Sequence, residues 1–240
     1  MAIILPEQLI PAQTSSPRKL LIYSSPKVGK TTAASMLESN LIIDLEEGSR
    51  FVSAFKIEVN TVDEIRELVI ELKKDPKKFK YGTIDTTTKL EEIILPYAKK
   101  LYMDTPMGKN YKDENVLTLP NGAGYLYLRE AYNKITAALE SCFERVIYFG
   151  HLKDKVLEKA GKEVSAKDID LTGKIRNMAC ANADAIGYLY RKDNNTILSF
   201  VTNQDVICGA RPAHLSNKEI ILLEKVEDKF VSHWDKIYID

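Results

Sequence analysis

Short apolar runs alternate with amphipathic stretches along most of this chain. Lys19 to Tyr23 (KLLIY), Asn40 to Leu45 (NLIIDL) and Arg145 to Gly150 (RVIYFG) are runs of the kind that form strands buried on both faces. Phe79 to Asp85 (FKYGTID) is a weaker fourth strand. Between them, Val62 to Lys74 places Val62, Ile65, Leu68, Val69 and Leu72 at helical spacing with charges between, and Asp75-Pro76 stops the pattern. Further helices are expected over Lys30 to Glu38, through Leu90, Ile93, Ile94 and Tyr97, and over Tyr125 to Phe143. This alternation predicts an α/β fold, a mainly parallel sheet flanked by helices. Ala185 to Tyr190 and Thr196 to Val201, on either side of Asp193-Asn194-Asn195, predict an antiparallel C-terminal extension, with Glu219 to Leu223 a candidate further strand.

Two polar stretches break the rhythm, Met103 to Gly124 and Leu152 to Gly173, the second holding Lys153, Lys155, Lys159, Lys162 and Lys167. Both read as long loops, functional or solvated. The 240 residues suffice for one large core or a core with a modest appendage. Lys plus Arg and Asp plus Glu number 34 each, so any surface for a polyanion must be local. Cys142, Cys180 and Cys208 show no paired spacing, which argues for reduced thiols rather than a disulfide frame or a zinc site. No run reaches transmembrane length, and Met1 to Pro17 lack the basic start and long apolar core of a signal peptide. A cytoplasmic protein without membrane contact is the expectation.

The first apolar strand runs into Ser24-Ser25-Pro26-Lys27-Val28-Gly29-Lys30-Thr31-Thr32, a phosphate-binding loop of the GxxxxGK[ST] pattern with Ser24 at the first glycine position. Backbone amides of Lys27 to Thr31 can curl around a phosphate, Lys30 suits the outer phosphates and the Thr31 hydroxyl suits Mg²⁺. Serine is tolerable at position 24 if its φ stays negative, whereas Gly29 cannot acquire a side chain cheaply. Asp85, ending a strand, is the expected partner of Mg²⁺ and of Thr31, or else a helix N-cap. Glu46, past Asp44 at the end of the second strand, is the candidate general base, with Glu47 the competing choice if the strand ends early. His151, at the tip of the VIYFG strand, is placed to contact the γ-phosphate or the attacking water. His214 and His233 have no partner spacing.

In this order, SSPKVGKTT, IIDLEEG, YGTIDTTT and VIYFGHLKDK resemble the RecA-like ATPase core of phage-encoded nucleotide-binding proteins, a group related to KaiC-type recombinases. The resemblance covers about residues 17 to 202, with 1–16 an N-terminal extension and 17–240 the ATPase domain. It implies catalytic roles for Lys30, Glu46 and His151, and a Mg²⁺ role for Thr31 and Asp85. It also gives the two polar stretches a DNA-contacting role, with Lys109, Lys112, Lys153 and Lys155 meeting phosphates and Tyr111 stacking on bases. Recombinase-type ATPases commonly take a basic residue from a neighbouring subunit, for which Lys174, Arg176, Arg191 and Arg211 are candidates. The implied protein uses Mg-ATP and acts on single-stranded DNA in phage recombination, annealing or replication. It would assemble into a ring or filament, with a single-strand-binding protein as a further partner. A nucleotide-gated binding protein with negligible hydrolysis is the second reading. A small-molecule kinase ranks last, because the loops are lysine-rich where kinase lids are arginine-rich.

Overall fold

The structure, a computed structural model, describes residues 5–12, 14–159, 162–203 and 205–240, with the side chains of residues 155–165 outside the description. The phosphate-loop strand β1 (Lys19–Ser24) leads into α1 (Lys30–Ser35) and then β2 (Asn40–Asp44). A 3-10 turn, Gly48–Phe51, precedes β3 (Phe55–Glu58), which the sequence pattern does not announce. Helix α2 (Val62–Lys74) follows, opened by a capping box in which Thr61 and Glu64 satisfy each other's backbone amides. Next come β4 (Tyr81–Asp85), α3 (Thr87–Ile93) and α4 (Leu95–Met103). The sequence pattern predicts one helix here; Pro96 in the first turn of α4 has no N–H to continue the α3 ladder, and the chain restarts at Ile94.

After α5 (Gly124–Glu140), the long β5 (Arg145–Lys159) turns back into β6 (Lys162–Ile169), followed by α6 (Gly173–Asn182). The rest comprises β7 (Ala185–Lys192), β8 (Asn195–Ser199), the short β9 (Gly209–Ala210), β10 (Glu219–Val226) and β11 (Lys229–Ser232). The main path of the sheet is β11-β10-β8-β7-β1-β5-β4-β2-β3, with β6 paired to β5 and β9 to β7. Strands β3, β2, β4, β5, β1 and β7 are parallel, while β8, β10 and β11 run antiparallel to their neighbours. The expected class is therefore the one observed. Among the described residues, no helix is long and apolar enough to cross a membrane.

Alternation along the buried strands divides the core in two. Leu21, Tyr23, Leu41 and Ile43 join α2 to α6 on one face, whereas Leu20, Ile22 and Ile42 pack with Ala33, Ala34 and Trp234 on the other. Trp234 Nε1 donates to the Ala33 carbonyl at 2.8 Å, which fixes the C-terminal segment against α1. The buried Arg145 guanidinium ties that segment to β5, donating to Asp240 at 2.8 Å and to the Pro17 carbonyl at 3.1 Å.

One of the two polar stretches differs from expectation. Residues 152–169 form a hairpin rather than a loop: β5 runs through Lys159 and pairs in antiparallel register with β6, Leu152 opposite Ile169 and Lys159 opposite Lys162. A two-stranded ribbon satisfies its backbone without a buried face, so a charged alternation such as Lys153-Asp154-Lys155 carries no hydrophobic signal. The 103–124 stretch is anchored by Val116 and Leu119, both buried, within and just after a 3-10 turn at Val116–Thr118.

Gly82, in β4, faces the Phe143 ring so closely that a Cβ there would lie 2.4 Å from it. Gly82→Ala is expected to lower stability in urea unfolding by about 1–3 kcal/mol, the range for overpacking. Adding Phe143→Leu should recover part of the loss, as contacting residues couple.

Candidate functional site

Parallel register brings the chemical residues to one edge of the sheet. Ser24 is level with His151 on β5, Asp85 with Phe149 two residues earlier, and Asp44 with Asp85. This is the carboxyl edge of the strands, where open α/β sheets take ligands.

The loop after β1 turns twice through positive φ, at Lys27 (64°) and Gly29 (115°). A side chain at Gly29 would find room but would be strained by the backbone, so conformation is what demands glycine there. Ser24 is not among the positive-φ residues, the condition under which serine is tolerable. Its hydroxyl has a role that sequence reasoning missed: it accepts a hydrogen bond from Lys30 Nζ at 3.0 Å, giving that buried ammonium a neutral partner. Burial lowers the Lys30 pKa, opposed by the nearby Asp85 and Glu46 charges. No side chain caps α1 at Gly29, which leaves its first amides to a ligand.

Thr31 donates its hydroxyl to Asp85 Oδ2 at 2.7 Å. Burial pushes the Asp85 carboxyl up to about 6, with Glu46 and Asp44 adding to the rise and Thr31 and Lys30 working against it. A hydroxyl and a carboxylate are hard oxygen donors, the set that Mg²⁺ prefers. Among the described residues no cluster of three His, Cys, Asp or Glu side chains could hold a metal. An ion here would complete its shell from phosphate and water. Asp85 is not the helix cap; Thr86 is, accepting from the Lys89 amide at 3.2 Å.

Glu46 is the acid that reaches the site. Its carboxylate accepts from the Thr86 hydroxyl at 2.6 Å, and His151 Nε2 lies 2.8 and 3.1 Å from its two oxygens. Glu47 instead takes a left-handed backbone and pairs with Arg50. Asp44 accepts the backbone amides of Glu46, Gly48 and Ser49 at 2.8 to 3.2 Å. Burial pushes the Asp44 carboxyl up, and its bonds from Ser49, Glu46 and Gly48 outweigh that and hold it below its ordinary value. Asp44 thus shapes the turn that presents Glu46, a part the sequence signalled only as an acid closing an apolar run.

Lys30, Thr31, Glu46, Asp85 and His151 line a cavity of about 400 Å³ together with Pro26, Lys27, Gly29, Thr32, the exposed Phe51 and Arg191. Val28 lies beside it, its carbonyl receiving Arg191 Nε at 3.3 Å. Arg191 is one of the four basic candidates for a neighbour's site, and the β7–β8 hairpin brings it to its own chain's phosphate loop. The other basic candidates lie elsewhere. Arg176 forks onto Asp168, both contacts at 2.9 Å, and Arg211 binds Asp184 and the Ala181 carbonyl. Lys174 is exposed at the start of α6.

Of the expected DNA-contacting residues, Lys109 and Lys112 are exposed, while Lys153 pairs with Asp170 at 3.1 Å. Tyr111 does not present a free ring. It packs edge-on against Tyr102 with centroids 5.1 Å apart, and its hydroxyl donates to the Asn115 carbonyl. The Lys155 side chain lies outside the described residues.

A phosphate loop on a parallel sheet, with a threonine and a strand-end aspartate joined beside it, defines a nucleotide-binding P-loop domain. Residues 16–212 match the AAA domain family, and the chain belongs to it. No curated protein matches the chain. Among solved structures it is similar to the KaiC-like protein PH0186 from the hyperthermophilic archaeon Pyrococcus horikoshii OT3, at 14% identity over 90% of this chain and 89% of that one, with a TM-score of 0.45.

In metal-free protein, Asp85 binds its proton more readily folded than unfolded, since about 6 lies above the ordinary 3.8. Stability from this group is therefore full below the ordinary carboxyl range and is lost as pH rises through about 6. Asp85→Asn is expected to melt several degrees above the parent near pH 8 in chelator, with the gap closing towards pH 4. Thermal melts across that pH series check this.

Proposed function

We propose that this P-loop domain is a RecA-like ATPase that hydrolyses Mg-ATP and acts on single-stranded DNA in phage recombination, annealing or replication. The observation that carries the hydrolytic part is Glu46, held by Thr86 and His151 at the rim of the phosphate-loop cavity. When triphosphate enters, Lys30 exchanges the Ser24 hydroxyl for phosphate oxygens, a charge-assisted contact in place of a neutral one. Thr31 and Asp85 would hold Mg²⁺, which supplies charge neutralisation on the phosphates. Glu46 orients the attacking water and takes up its proton, and His151 fixes the carboxylate's orientation. Arg191 adds positive charge from the same chain.

The DNA part of the reading is supported by the exposed Lys109 and Lys112 and by the resemblance of the motifs. Assembly into a ring or filament, contact with a single-strand-binding protein and action in a bacterial host's cytoplasm belong to the same reading.

ATP turnover with and without single-stranded DNA tests it. Lys30→Ala should lose nucleotide binding. Glu46→Gln should keep binding and lose turnover by about 100-fold or more, the usual weight of a general base. Binding without turnover in the parent under both conditions would sink the hydrolytic reading in favour of a nucleotide-gated binding protein. Mixing Lys30→Ala with Arg191→Ala subunits distinguishes the two placements of the arginine. No recovery of turnover is expected if Arg191 serves its own chain, and recovery would place it in a neighbour's site.

A further inference from the structure

Phe51 is the one phenyl ring among the described residues that line the phosphate-loop cavity, and it is 98% exposed. Phe55, four residues on, packs edge-on against Phe79 with centroids 5.5 Å apart, whereas Phe51 has no ring or cation against it among the described residues. The 3-10 turn that carries it, Gly48–Phe51, is held by its neighbours in the chain. Asp44 takes the amides of Gly48 and Ser49, and the Val52 amide donates to the Ser49 carbonyl at 3.1 Å. Lys56 Nζ donates to the carbonyls of Ser49 and Val52. A Cβ on Gly48, which also lines the cavity, would meet nothing within 4 Å, so bare backbone and open space lie on the same turn as the ring.

Those bonds fix the ring in place and also spend the polar backbone groups next to it. Pro26 and Val52 are the other apolar side chains of the lining. Of the polar ones, Lys30, Thr31 and Asp85 are committed to phosphate and Mg²⁺ in the proposed site, and Glu46 and His151 to each other. A flat, unengaged ring accepts the π-face of any base. Telling one base from another needs hydrogen bonds to its edge, and a site built to make them rejects the wrong partner strongly. We propose that Phe51 stacks on the nucleobase and that the site takes purine nucleoside triphosphates without distinguishing adenine from guanine. This rests on the reading that the cavity binds a Mg-nucleoside triphosphate, and it widens the substrate class beyond ATP.

Isothermal titration calorimetry of the full chain with Mg²⁺ and ATP, GTP, CTP or inorganic tripolyphosphate tests this, since it reads binding without turnover. ATP and GTP should bind within about threefold of each other and CTP more weakly, because a purine offers the larger face to stack. Phe51→Ala should weaken ATP and GTP alike by about fivefold or more, the usual loss on removing a stacking ring, and should spare tripolyphosphate, which carries no base. Phe51→Tyr should bind both nucleotides like the parent, because it keeps the ring. A preference for ATP over GTP of about tenfold or more overturns the shared purine specificity, since it takes a read base edge to produce it. Parent-like ATP and GTP binding by Phe51→Ala overturns the stacking role, as does an equal loss of tripolyphosphate in that variant. Each of these leaves the proposed function standing, whereas a parent that binds neither nucleotide nor tripolyphosphate overturns the nucleotide reading and the stacking role together.

Discussion

The hydrogen bond from Thr31 to Asp85 is the contact on which the site depends. It joins the first turn of α1 to the end of β4 across the intervening β5, so the phosphate loop and the strand-end carboxylate hold one geometry before any ligand arrives. It also closes a local charge problem. Asp85 and Lys30 are both buried, and a buried charge is tolerated only with partners. Lys30 answers Asp85 electrostatically and rests on Ser24, while Thr31 donates to Asp85. The arrangement keeps an ammonium and a carboxylate ready in a poorly solvated place, where each is worth more to an incoming phosphate or cation than it would be in water.

A second constraint acts next to it. Asp44 spends its carboxylate on three backbone amides, which bends the chain just after β2 and sends Glu46 towards His151 and Thr86. His151 reaches the same place because β5 is level with β1 at Ser24 and runs on beyond it. Asp44 and Glu46 on this turn therefore have different duties, one structural and one facing the cavity. Their environments separate them: Asp44 is fully wrapped, Glu46 only partly.

Some departures from sequence reasoning share a cause. The β5–β6 hairpin reads as a loop in sequence because its strands alternate charges rather than apolar and polar residues, and pairing between backbones leaves no trace in composition. Tyr111 lies in a polar stretch of sequence, but Val116 and Leu119 draw that stretch against the core and Tyr102 takes its ring. A hairpin tip has no fixed place in sequence; the sheet order sets β7 beside β1, and with it Arg191 beside Val28.

What the sequence by itself determined is what depends on neighbours in the chain. It determined the buried strands, the amphipathic α2 with its Thr61 cap, and the phosphate loop with its glycine at a left-handed position. It also determined that acids or a histidine end three of the apolar runs. Tertiary structure alone decided which of these ends meet, because parallel register across β2, β4, β5 and β1 is a property of pairing between distant segments. That register brings Asp85 level with Asp44 and sets His151 level with Ser24, so that Thr31 meets Asp85 and His151 meets Glu46.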